Sequence, residues 1–240
     1  MDEPARPNRS HHREVRDIPG LRAFFGAALA SALDLLYPPR CALCGRVDSV
    51  LCARCAATLP PPTPLHLSRR LPLTACAATG FHTGTLRRAI HVLKYETDAD
   101  YARRLGAILA ERMLDVLPAL GWTFDAVAPV PLHTHRLRER GYNQSQALGA
   151  HVAAQLDLPL ITSALVRQRN TAPQVGRTDD ERRAAMSDAF TADADQVVGK
   201  TLLLIDDVCT TGATLQACAA AALKAGAQRV YSLTLSAARS

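Results

Sequence analysis

The chain has 240 residues, 48% hydrophobic and 21% charged, with a formal net charge of +6. That length holds one large domain and a small accessory one, and that balance excludes wholesale disorder. The positive excess suits nucleic acid, an anionic membrane surface or a polyphosphate, and it is mostly arginine, since Lys94, Lys200 and Lys224 are the only lysines. Arginine-favouring codon usage accounts for much of the excess, so charge by itself selects no partner.

The first 20 residues are polar, basic and proline-bearing, which reads as a disordered tail. Residues 21–36 carry apolar positions at helical spacing, interrupted by Arg22 and Asp34. An amphipathic helix is expected there in preference to a signal-peptide core. No run reaches the roughly 18 uninterrupted apolar residues of a membrane span. Four of the seven cysteines follow at once, as Cys41-x2-Cys44-x7-Cys52-x2-Cys55. Each C-x-x-C turn aims two sulfurs at one point, and two such turns supply the four thiolates of a closed, tetrahedral, structural Zn²⁺ site. The metal would then provide folding energy that so short a segment lacks. An odd cysteine total of this kind fits a reducing compartment, so the cytoplasm is expected.

A proline-rich linker is expected over 61–72, closing a zinc module of 21–60 and opening the main domain, 73–240. From 73 onward strands and helices alternate. Strands are expected at 73–81, 124–131, 200–208 and 229–237, and helices at 85–95, 101–117, 143–156 and 211–227. Short connections between them imply an α/β fold, a Rossmann-like parallel sheet covered on both faces. Ligands of such sheets sit beyond the carboxyl ends of the strands. Trp122 and Phe124 are expected in the core.

That rule points to "LLLIDDVCTTGATL" (202–215). Neither GxGxxG nor GxxxxGK[ST] is present, which removes a dinucleotide fingerprint and a P-loop. The small residues Cys209, Thr210, Thr211, Gly212, Ala213 and Thr214 let backbone N–H groups converge at a helix N-terminus, an anion cradle. The threonine hydroxyls add donors. Asp206 and Asp207 stand where carboxylates accept hydrogen bonds from vicinal sugar hydroxyls, and where they hold Mg²⁺ directly or through water. The pattern is that of a sugar-phosphate site.

The same stretch resembles the phosphoribosyl pyrophosphate (PRPP) motif of type I phosphoribosyltransferases. "LYPPRCALCGR", "IHVLKYE", "VAPVPLHTHRLRERGYNQSQALG" and "LVRQRNTAPQVGRTDDERR", in that order, narrow the resemblance to the ComF (competence protein F) family over about 30–238. It implies that Asp206, Asp207 and Arg140 are catalytic, with Asn143 and the 131–136 loop at the diphosphate. It implies that Lys94 reaches the diphosphate or a neighbouring subunit. A loop bearing Arg167, Arg169, Thr171, Gln174 and Arg182 would close over the substrate and exclude water. Two departures stand out: Ala184-Ala185-Met186 replaces an asparagine usual after "ERR", and Cys209 stands where a bulkier residue is frequent. Arg136 and Arg138 read equally as a solvated turn, Asn143 as an N-cap, and His133 and His135 as surface.

Two functions stay open. One is a Mg²⁺-dependent phosphoribosyltransferase acting on PRPP and an unknown acceptor, in the setting of natural competence or DNA utilisation. The other is a non-catalytic module of the same fold that binds single-stranded DNA or DNA-uptake proteins. Only 5% of residues are aromatic, which offers little platform for stacking bases. A homo-oligomer is compatible with both.

Overall fold

The run Leu202–Ile205 has no solvent exposure at all, which is the mark of a central strand covered on both faces. In the computed structural model it lies within a nine-residue strand that has a parallel neighbour on each side in a five-stranded sheet. The structure describes residues 38–47, 49–67, 71–96, 98–168 and 189–239. The chain divides after Pro39 into two units, and every element below belongs to the second. The expected tail and the 21–36 helix lie outside the described residues.

In chain order the elements are helix α1 (Ala53–Ala56), strands β1 (Leu65–His66) and β2 (Ala75–Ala78), and helices α2 (Gly84–Tyr95) and α3 (Ala99–Leu120). There follow β3 (Ala126–Pro129), α4 (Thr134–Arg140), α5 (Gln144–Gln155), β4 (Leu165–Arg167), β5 (Phe190–Ala192) and α6 (Ala194–Val197). The chain ends with β6 (Thr201–Cys209), α7 (Ala213–Lys224) and β7 (Arg229–Ala237). The main sheet has the order β1-β2-β7-β6-β3. β2, β7, β6 and β3 are mutually parallel, and β1 joins the edge antiparallel through Leu65 opposite Ala78. The expected parallel sheet is present, with one short antiparallel strand added at its edge. β1 comes from the proline-rich 61–72 stretch, where an edge position needs fewer backbone donors than a central one. β4 and β5 form a separate antiparallel pair.

Side-chain alternation divides the core between the two faces. Leu203, Ile205, Leu233 and Leu235 pack with α2, α3 and α5, through Leu93, Leu105, Leu109, Met113, Leu148 and Val152. Leu202, Leu204 and Val230 pack on the other face with Leu215, Cys218 and Ala222 of α7 and with Leu165 and Phe190 of the β4–β5 pair. Trp122 stacks on Tyr231 with ring centroids 4.9 Å apart, and both it and Phe124 are partly buried against the first cluster. Helix ends follow local chemistry. Asp98 caps α3 by accepting from the N–H groups of Asp100 (2.9 Å) and Tyr101 (3.1 Å). Asn143 caps α5 by accepting from the N–H of Ser145 at 3.0 Å.

α5 comes down on the sheet at Gly149, where an added Cβ would sit 3.3 Å from the Leu160 side chain and 3.5 Å from that of Val127. Gly149→Val therefore forces α5 off β3 and β6 and should destabilise the fold by about 1–3 kcal/mol. Equilibrium urea unfolding measures it. An unchanged midpoint would show that the helix–sheet gap is looser than this geometry.

Candidate functional site

β6 carries its apolar run to the carboxyl edge of the sheet and ends in Asp206-Asp207-Val208-Cys209. Alternation puts Asp207 on the face of Leu203 and Ile205, the side where α2 packs. Its residue surface is 3% exposed. Lys94, in the last turn of α2, reaches its Oδ1 at 3.1 Å. The other oxygen, Oδ2, is buried with no hydrogen-bond partner among the described residues. An unmet buried acceptor on a carboxylate is costly unless something donates to it.

Asp206 is half-buried and is held differently. The Ser145 hydroxyl donates to its Oδ1 at 2.7 Å, and the N–H of Asp207 donates to the same atom at 2.9 Å. Burial, and then the charge of Asp207, push its pKa up to about 7, against the pull of Ser145 and Lys94. One acid is thus ion-paired and the other sits near its titration point at neutral pH.

Beyond β6 the chain turns through Thr210, Thr211 and Gly212 into α7. Gly212 has φ 78, left-handed backbone that glycine adopts without penalty. The N–H groups of Thr210 and Gly212 meet no backbone carbonyl among the described residues. Ala213 and Thr214 open the helix, whose first-turn N–H groups lack intrahelical partners by construction. Thr210 and Thr211 are exposed, Ala213 and Thr214 half-buried, and Cys209 is buried. The Thr211 hydroxyl accepts weakly from the Ala213 N–H at 3.4 Å.

The basic residues are more dispersed than their spacing suggests. Arg140 donates to Gln144 Oε1 at 2.6 Å and lies over the Tyr95 ring, 5.5 Å from its centroid. Lys94, Tyr95, Glu96, Arg136, Glu139 and Arg140 line an open cleft of about 340 Å³. Asn143 spends its side chain on structure, donating to the Val130 carbonyl at 3.0 Å as well as capping α5. The second half of the loop expected at 131–136 is helical, residues 134–136 opening α4 with His133 as its N-cap. Arg167 lies over Phe190 at 5.4 Å from the ring centroid. Arg169, Thr171, Gln174 and Arg182 lie outside the described residues.

Two neighbours, Ser145 and His82, escaped the sequence reading, and the partner of Tyr142 is visible only in the structure. Ser145 looked like an ordinary helix position, yet it holds Asp206. Tyr142 donates its hydroxyl to the Leu93 carbonyl, which fixes the turn that bears Lys94. His82, past the end of β2, shares a hydrogen bond of 2.8 Å between Nδ1 and Ser236 Oγ. Burial, then Lys94 and Arg87, hold His82 below its usual pKa despite the opposing pull of Asp207. Only the position of His82 at the carboxyl edge of a strand would have marked it.

The four module cysteines converge. All four Sγ atoms lie within 4.8 Å of one another, and Cys44 and Cys52 are 3.8 Å apart. A tetrahedron with Zn–S bonds of about 2.3 Å has edges of about 3.8 Å, so the residues present fit that ion. Replacing any one, Cys41→Ser for instance, should abolish stoichiometric zinc, read by elemental analysis of the purified protein. Retained zinc with unchanged solubility would defeat the assignment.

Asp206 also predicts a pH dependence. Below about pH 4 it is protonated in both folded and unfolded chains. Between there and about pH 7 the unfolded chain releases a proton that the fold keeps, so stability falls as pH rises. Asp206→Asn should therefore raise Tm at pH 8 and lose that advantage toward pH 4. An equal Tm difference at both pH values would rule out a raised pKa.

Comparison with known proteins agrees with this arrangement. The phosphoribosyl transferase domain family matches residues 143–240, and the double zinc ribbon domain matches 32–66. DNA utilization protein YhgH of Escherichia coli is 29% identical over 197 residues, 79% of this chain and 85% of that protein. Competence protein ComFC of Bacillus subtilis is 27% identical over 81% of this chain and 76% of its own length. Competence protein F of Haemophilus influenzae is 32% identical over 108 residues, 44% of this chain and 47% of that protein. Among the described residues no helix is long and apolar enough to cross a membrane. With a double zinc ribbon ahead of a phosphoribosyltransferase-type domain that carries the acid pair near the end of β6, the chain is similar in sequence and domain order to the competence protein F family.

Proposed function

We propose that the carboxyl edge of β6 binds phosphoribosyl pyrophosphate and transfers its phosphoribosyl group to an acceptor. The reading rests chiefly on Asp207, whose Oδ2 is buried and, among the described residues, unpaired beside a lysine-held Oδ1. A ribose hydroxyl donating to that oxygen would supply its missing hydrogen bond. The 5′-phosphate fits the first-turn amides of α7, where Ala213 and Thr214 add a helix dipole to the small-residue turn. Lys94, Arg136 and Arg140 form the cationic wall on which a diphosphate is neutralised as the C1–O bond breaks.

Mg²⁺ belongs to this reading, and the donor set suits it. The oxygens of Asp206 and Asp207 are hard ligands, and one of them, Asp207 Oδ2, is buried with no donor among the described residues. The ion would neutralise diphosphate oxygens. The protein's own part is to orient the sugar with Asp206 and Asp207, to keep Asp206 fixed through Ser145, and to carry Lys94 between acid and diphosphate. The names of the relatives support a setting of DNA utilisation or competence for this reading. Accessory binding of single-stranded DNA or of DNA-uptake proteins by the same fold is the competing outcome.

Calorimetric titration of PRPP with and without Mg²⁺ tests the proposal. Binding that needs Mg²⁺ and falls at least tenfold in Asp206→Asn/Asp207→Asn is expected. No binding to the wild type, together with salt-sensitive retention on single-stranded DNA, would replace this reading with the accessory one.

A further inference from the structure

The zinc module and the acid pair are joined by one helix. Arg88, on α2, donates from Nη2 to the Leu43 carbonyl at 2.8 Å, across 45 residues of sequence. Leu43 lies inside the first C-x-x-C turn, between Cys41 and Cys44, so metal closure sets where its carbonyl points. A second link comes from α3, where the Tyr101 hydroxyl bonds the Arg40 carbonyl at 2.5 Å and lies 3.2 Å from the Val50 carbonyl. Arg40 and Val50 flank the first turn and the start of the second. Cys41, Leu51, Cys52 and Cys55 are buried in the same apolar cluster as Leu86, Ala89, Ile90 and Leu93 of α2.

The far end of α2 is the acid site. Six residues beyond Arg88, about 9 Å along the helix, Lys94 meets Asp207. Tyr142 holds the Leu93 carbonyl beside it. The two ends of one rigid helix are thus tied, one to a cysteine turn and the other to the carboxylate at the tip of β6. A lateral shift of about an ångström would take a pair at 3.1 Å out of hydrogen-bonding range.

We propose that the four-cysteine module sets the position of Lys94 against Asp207 through α2, with Arg88 as the positioning residue at the module end. Loss of the metal frees the Leu43 carbonyl and the buried module side chains, and α2 loses its fixed seat. Its last turn then no longer holds Lys94 on Asp207. The consequence for phosphoribosyl pyrophosphate rests on the function proposed above, whereas the link from cysteines to lysine does not.

The scarcity of lysine makes the link measurable. Reductive ¹³C-dimethylation labels Lys94, Lys200 and Lys224 of the full chain besides the terminal amine, and Lys94→Arg identifies the Lys94 signal. Asp207→Asn gives the position of that signal without the ion pair. In zinc-loaded Arg88→Ala the Lys94 signal should move at least half-way to that position, while Lys200 and Lys224 stay put. Chelation should move it further in the same direction. A Lys94 signal within a line width of wild type in zinc-loaded Arg88→Ala overturns the proposal. If chelation collapses all three signals together, the chain has unfolded, and the zinc-loaded variant alone decides. A wild type that fails to bind PRPP defeats the earlier reading only. A wild type that binds, with affinity about tenfold weaker in Arg88→Ala, extends the link to the ligand.

Discussion

Two carboxylates side by side at the end of a buried strand repel each other, and the structure is arranged around that repulsion. Asp207 takes a lysine and gives up its solvent, and Asp206 takes a serine hydroxyl and a backbone amide. Neither arrangement is complete. One oxygen of Asp207 has no donor among the described residues, and burial pushes the pKa of Asp206 up to about 7. Groups left short of partners in a closely packed place cost stability, and sites that bind or react are where such costs recur.

The surroundings divide the work by face. α2 delivers Lys94 to the Asp207 side, with Tyr142 steadying its last turn. α5 delivers Ser145 to Asp206, and Asn143 fixes the start of α5 by capping it and by tying it to the Val130 carbonyl at the end of β3. Residues that looked like direct ligand contacts in the sequence thus include at least one whose side chain is occupied in holding others. Asn143 is that case. Arg140 is intermediate, anchored to Gln144 and to the Tyr95 ring while still lining the cleft.

The cysteine turns bury three of their four cysteines in the same cluster as the helices on one face of the sheet. A small module with little core of its own gains from that shared cluster, and the large domain gains a cover over α2 and α3. Metal geometry and sheet geometry are therefore not independent in this chain, because apolar side chains from both meet in one packed volume.

Periodicity and spacing alone were enough for the alternating elements, the C-x-x-C pair and the acid tip. Strand and helix periods, turn glycines and metal-ligand spacing are local signals, written within a few residues of where they act. The β1 edge pairing, the helical turn of α4 and the split of the two acids between two partners were decided only in three dimensions. Lys94 and Asp207 are 113 positions apart, and Ser145 and Asp206 are 61 apart. No local pattern encodes which charge a distant helix end will meet. That depends on the packing angle of α2 and α5 over the sheet, set by apolar side chains such as Leu93 and Leu148, and by Gly149, where any added atom would meet Leu160 and Val127.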